Sequence, residues 1–171
     1  MAVMEIRTYG DPILRKNAET VTEFNDELRQ IFNDMLETMY VKNGIGLAAN
    51  QVGLDKRILV CDSGTREKPE VYKLANPEIT ESSKEKTVFE EGCLSFPGLT
   101  EKITRPAAIT VKAKDENGKD ITIKATGLKA TVLQHEIDHI NGRVFIDRMT
   151  PVKKMLHNKE LKEIKKLREK K

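Results

Sequence analysis

The sequence predicts an α+β fold in which short antiparallel β-sheets pack around a central helix carrying His135-Glu136-Ile137-Asp138-His139, with an amphipathic helix near the N-terminus and a basic helix at the C-terminus. Three observations lead there. Apolar residues recur every three or four positions from Leu28 to Met39, the middle of the chain alternates apolar with polar around a hairpin signal at Asn117-Gly118, and helical spacing returns after Thr126-Gly127.

Asp11-Pro12 pairs a capping carboxylate with a proline suited to a first turn, so a short helical turn through Leu14 and Arg15 is expected. From Asn25 the positions Leu28, Ile31, Phe32, Met35, Leu36 and Met39 form one stripe, and Asn43-Gly44 closes it. RILVC (57–61), VYKLAN (71–76), ITES (79–82) and KTVFEE (86–91) read as strands between polar turns. Ile103 to Lys114 and Asp120 to Ala125 read as the two arms of the hairpin. Leu128, Thr131, Val132, His135 and His139 then share a helical face that ends at Asn141-Gly142. Thr150-Pro151 opens a last helix, 150–171, with Val152, Met155, Leu156, Ile164 and Leu167 expected on its apolar side.

A chain of 171 residues is expected to form one domain over 1–171. The N-terminus has no basic start followed by an apolar run, and no stretch approaches the roughly 18 apolar residues of a membrane span, so a cytoplasmic location is expected. Two cysteines in unlike settings, Cys61 and Cys93, argue against a disulfide framework. Cys61, ending RILVC, reads as a buried strand residue, and His157 as a surface residue of the basic helix. Net charge is +3, but residues 150–171 hold nine Lys/Arg against three Glu, or +6, which leaves −3 for the rest. Such a tail suits a phosphate-rich partner, and equally a solvated helix end whose cations favour its C-terminus.

The HExxH run places two imidazoles one helical turn apart, with Glu136 beside them as a base for water activated by a metal. A catalytic site of this type needs a third protein ligand and an open position. HEIDHINGRVF falls short of the longer metzincin pattern because Phe145 stands where its third histidine belongs. Glu160 or Glu163 would serve a thermolysin-like zincin, and Cys93, between flanking glycines in EGCLSFPG, would supply a thiolate. Cys93 as a nucleophile paired with His135 is a further alternative, which leaves Glu136 without a role.

The segments GIGLAANQ (44–51), EGCLS (91–95) and QHEIDH (134–139), in that order, resemble the three signature motifs of bacterial peptide deformylases, and together with the flanking helices the resemblance covers essentially the whole chain. It implies a hydrolase that removes the formyl group from the N-terminal methionine of nascent polypeptides and releases formate. By the same resemblance Cys93, His135 and His139 are the metal ligands, and Glu136 takes a proton from water and passes it to the leaving amine. The Gln51 amide and the Leu94 backbone N–H would stabilise the oxyanion.

Ile45, Gly46, Phe89, Glu91, Gly92, Leu128, Thr131 and Val132 match positions that receive the peptide, in a pocket suited to unbranched methionine. Glu91 and Arg105 match an ion pair that orients the Cys93 segment. The resemblance suggests Fe2+ as the native ion, with Zn2+, Ni2+ or Co2+ possible in purified protein, and weak ribosome binding through the terminal helix of a monomer. Asn50 departs from a threonine common at its position, and Thr100 from an arginine found in some relatives; both bear on peptide preference.

Overall fold

The structure is a computed structural model that describes residues 2–169. Asp11 caps a 3-10 turn, Pro12–Arg15, by accepting from the Ile13 N–H. Helix α1 (Asp26–Val41) starts at Asn25, whose side chain accepts from the Leu28 N–H at 3.0 Å, and it stops where Asn43 turns left-handed at φ 59° and Gly44 N–H returns to the Met39 carbonyl. The expected stripe is its buried face: Phe32, Met35 and Met39 are fully buried. At about 1.5–3 kcal/mol for each such side chain, this face holds the helix down.

Among the described residues, seven strands follow in two sheets. Five form one antiparallel sheet, β1 (Gly46–Ala48), β2 (Ile58–Asp62), β3 (Val71–Ser82), β6 (Ala108–Lys114) and β7 (Asp120–Thr126), in that spatial order. The other two, β4 (Lys86–Cys93) and β5 (Phe96–Pro106), make a separate hairpin. Two expectations are corrected. VYKLAN and ITES are one strand, β3, bent by a register shift where Asn76 is left-handed and Pro77 lacks an N–H. The segment Ile103 to Lys114 is not one arm: it divides at Pro106, β5 pairing with β4 and β6 with β3 and β7. GIGLAANQ forms edge strand β1 and a 3-10 turn, Ala49–Val52.

Helix α2 (Gly127–Ile140) lies between these layers, and every residue from Ala130 to Ile140 is buried. Its apolar side packs with Leu59, Leu74, Val111 and Ile123 of the large sheet. A second cluster joins Phe96, Leu99 and Ile103 of β5 to Phe145, Leu161 and Ile164. A third seats α1 on β1 and β2. Both polar ends of the HExxH run are thereby held by core packing on several sides.

The last helix breaks at His157 into α3 (Pro151–Leu156) and α4 (Asn158–Glu169). The break rotates the stripe, so its expected apolar side is corrected as well: Leu161 and Ile164 are buried, while Val152, Met155, Leu156 and Leu167 are exposed. His157 is not a free surface residue, because its ring bridges Glu101 (2.8 Å) on β5 and Glu160 (3.1 Å). Of the basic tail, Lys170 and Lys171 lie outside the described residues. Cys61 is fully buried on β2, as expected. No helix among the described residues is long and apolar enough to cross a membrane.

Candidate metal centre

His135 and His139 project from the same side of α2, with ring centroids 5.0 Å apart. Cys93, the last residue of β4, reaches them across a two-residue turn into β5, with Sγ 3.3 Å from His139 Nε2. The ligand atoms of Cys93, His135 and His139 all lie within 4.8 Å of one another. Glu160 and Glu163 are not among them, since both lie on α4, where Glu160 is engaged by His157. Phe145 is fully buried and packs 5.8 Å from the His135 ring, so the position a metzincin gives to a ligand here serves as a wall.

The surroundings are buried and rich in paired charges. Glu91 accepts from His135 Nδ1 at 2.9 Å and takes a two-pronged contact from Arg105, at 2.7 and 3.0 Å. Arg105 also donates to Asp138 at 2.9 Å, and Arg148 donates to the same carboxylate at 2.8 and 3.0 Å. The Glu91–Arg105 pair matches the sequence expectation, whereas Asp138 and Arg148 were missed. Asp138 was hidden inside the motif as one of its two variable positions.

Burial works against a charge on His135, yet Glu136, the Cys93 sulfur and Glu91 together hold its pKa well above the ordinary value. Burial and the neighbouring His135 push His139 well below it. Two imidazoles and a thiol converging on one point form the donor set of a borderline transition metal, and His139 Nδ1 and Glu136 Oε1 are buried without partners among the described residues. The residues present fit such an ion.

Glu136 is 4% exposed, and burial raises its pKa to about 7. It lies against Gly46: a Cβ at that glycine would stand 2.5 Å from Glu136 Oε2, so β1 comes this close only because the side chain is absent. Gln51, on the 3-10 turn after β1, is buried and oriented by the Ala48 N–H, which donates to its Oε1 at 3.0 Å. Its Nε2 points at Cys93 Sγ (3.4 Å) and Ser95 Oγ (3.2 Å). Ser95 was not singled out from the sequence, being an unremarkable turn residue there.

A cleft of about 450 Å3 opens onto this centre. Ile45, Gly46, Glu91, Gly92, Leu128, Thr131 and Val132 line it, with Gln51, Leu94 and Glu136. Phe89 does not; it pairs with Ile103 on the β4–β5 hairpin, and the residue facing the cleft beside it is Glu90. Ile45 and Leu128 remain about half exposed at the rim, while Thr131 and Val132 form the buried wall.

Residues 3–155 match the family model described as polypeptide deformylase. A peptide deformylase of Thermodesulfovibrio yellowstonii is 50% identical over 163 residues, covering 95% of this chain and 98% of that protein. The crystal structure of a peptide deformylase from Legionella pneumophila superposes with a TM-score of 0.89 at 42% identity, covering 99% of both chains. That of the enzyme from Thermus thermophilus gives 0.89 at 40% identity, covering 96% of this chain and 98% of that one. With its metal-ligating triad at the foot of the cleft, the chain belongs to the polypeptide deformylase family.

Proposed function

We infer that this chain is a metal-dependent hydrolase that removes the formyl group from N-formylmethionyl peptides and releases formate, with Cys93, His135 and His139 as ligands. The convergence of those three ligand atoms within 4.8 Å, with Glu136 beside them and an apolar cleft above, carries this reading. A divalent ion held there would supply Lewis acidity, acidifying water and polarising a carbonyl oxygen.

The chain's own residues supply the rest. The rim residues Ile45 and Leu128 and the wall of Thr131 and Val132 would receive the methionine side chain. The peptide would lie extended along Gly46 on one side and Gly92 on the other, where the lack of side chains lets backbone approach backbone. Gln51 Nε2 and the Leu94 N–H would donate to the oxygen of the tetrahedral intermediate. Glu136, poised by burial near neutrality, would take a proton from water and deliver it to the departing amine. A cation nearby favours its carboxylate form and so the base role. Glu91, Arg105 and Asp138 would hold His135 and the β4 end in register, acting through the ligands.

Fe2+ is the native ion on this reading, with Zn2+, Ni2+ or Co2+ able to occupy the same N,N,S set. The chain would act in the cytoplasm as a monomer of one domain, 1–171, on nascent peptides. Weak ribosome binding through α4 is supported by the exposed Lys159, Lys162 and Lys166. Replacing these three with Glu, which spares the buried Leu161 and Ile164, should abolish low-salt co-sedimentation with ribosomes; unchanged binding rejects that part. For the reaction itself, protein loaded anaerobically with Fe2+ should release formate from formyl-Met-Ala-Ser, and Cys93→Ala should lose both metal and activity. Full metal occupancy with no formate released would sink the function.

A further inference from the structure

The two histidine ligands are supported differently. His135 Nδ1 has Glu91, whereas His139 Nδ1 is buried with no partner among the described residues. Asn50, on the Ala49–Val52 turn, touches the same residue: its Nδ2 donates to the His139 main-chain oxygen. Since a carbonyl oxygen only accepts, the amide cannot be turned the other way round without losing that bond. Its Oδ1 is therefore an acceptor, and it too is buried and unpartnered.

His139 Nε2 faces the sulfur of Cys93 and is the nitrogen that presents its lone pair to the centre. A neutral imidazole used in that way carries its proton on Nδ1. One dehydrated donor and one dehydrated acceptor thus sit on two residues already in contact, 0% and 1% exposed. Leaving both unpaired would cost each group its hydration with nothing in return, and one bond between them, or one trapped water, removes both penalties.

We propose that Asn50 is the positioning residue of His139: its Oδ1 accepts the Nδ1–H, directly after a small rotation of the amide or through a single buried water, while its Nδ2 holds the end of α2. The 3-10 turn then serves both sides of the centre, Asn50 setting the tautomer and ring angle of His139 and Gln51 facing Cys93. The partner of His139 is neutral where that of His135 is a carboxylate, so the centre keeps its anionic support on one side only. This role rests on the metal-centre reading given above.

The test uses the full-length protein with Zn2+ as probe. Wild type should show a slowly exchanging proton on His139 Nδ1 in long-range proton–nitrogen spectra of the zinc form. Asn50→Leu, which removes both polar atoms, should weaken zinc about 10- to 100-fold in chelator competition and lose that proton's protection. Asn50→Asp, which keeps the acceptor and loses the amide donor, should bind zinc at least as tightly as wild type. A proton on Nε2 in wild type, or zinc affinity of Asn50→Leu within about twofold of wild type, overturns the role of Asn50 while leaving the metal centre standing. Wild type that binds no zinc overturns both. Should Asn50→Leu fail to fold, the wild-type spectrum and Asn50→Asp decide the matter.

Discussion

Arg105→Met removes the guanidinium that two buried carboxylates share. Arg105 is 3% exposed and makes three short contacts, two to Glu91 and one to Asp138. Breaking a buried pair by deleting one partner costs about 3–5 kcal/mol, because the other charge stays dehydrated. Glu91 retains His135 and Asp138 retains Arg148, which places the expected loss near the lower end, about 3 kcal/mol, or a Tm lower by about 6–12 °C for a chain this long.

The pH dependence gives the stricter check. Burial by itself would raise Glu91 and Asp138, but His135 and Arg105 outweigh it for Glu91, and Arg148 and Arg105 for Asp138, holding both below their ordinary values of 4.5 and 3.8. A depressed carboxyl contributes stability above its unfolded pKa and loses it as pH falls through the lower folded value. Without Arg105 the burial penalty on Glu91 is less well opposed, so the deficit should be full at pH 7 and shrink as the carboxyls protonate below about 4.5. Urea unfolding in chelator, followed by far-UV circular dichroism because the chain has no tryptophan, measures it. A gap to wild type under about 1 kcal/mol at pH 7, or one that stays constant down to pH 4, would refute the reasoning.

Gly46→Ala should drive a methyl group into Glu136 and lower deformylation about 100-fold with zinc content unchanged; activity within threefold of wild type would contradict the close approach seen here. Glu136→Gln keeps the shape and removes the base, so kcat should drop by about 10²–10⁴ with the metal retained, measured as formate release. His157 is held above its ordinary pKa by its bond to Glu101, against slight burial and with help from Glu160. Its contribution is therefore complete below the unfolded value of 6.5 and is lost as pH rises through the raised folded one. Amide exchange in α4 should accordingly quicken on going from pH 6 to alkaline pH after correction for intrinsic rates, and His157→Gln should flatten that dependence.

The metal-binding half of the centre was readable because its geometry is local. An HExxH run on a helix brings two rings together by the helical repeat alone, and the apolar spacing around it predicts the helix. Cys93 had no such local signature: its place beside the rings depends on β4 ending in a tight turn next to α2, and the sequence suggested it through resemblance. Gln51 was likewise an ordinary polar residue until the 3-10 turn buried it against Cys93 and Ser95. The division of Ile103 to Lys114 between two sheets was hidden because alternation marks a strand without naming its partner. The break at His157 was hidden for a related reason, since its ring is claimed by a glutamate 56 residues earlier in the chain.

By itself the sequence determined α1 and α2, the turn at Asn117-Gly118 and the placing of His135, Glu136 and His139 together on α2, because each follows from interactions within a few residues of backbone. Only the tertiary structure decided which thiol meets the imidazoles, that Gly46 must be bare to pass Glu136, and that Arg105 and Arg148 converge on Asp138. Those contacts join elements distant in the chain, and packing around α2 selects them once the two sheets and the terminal helix have closed on it.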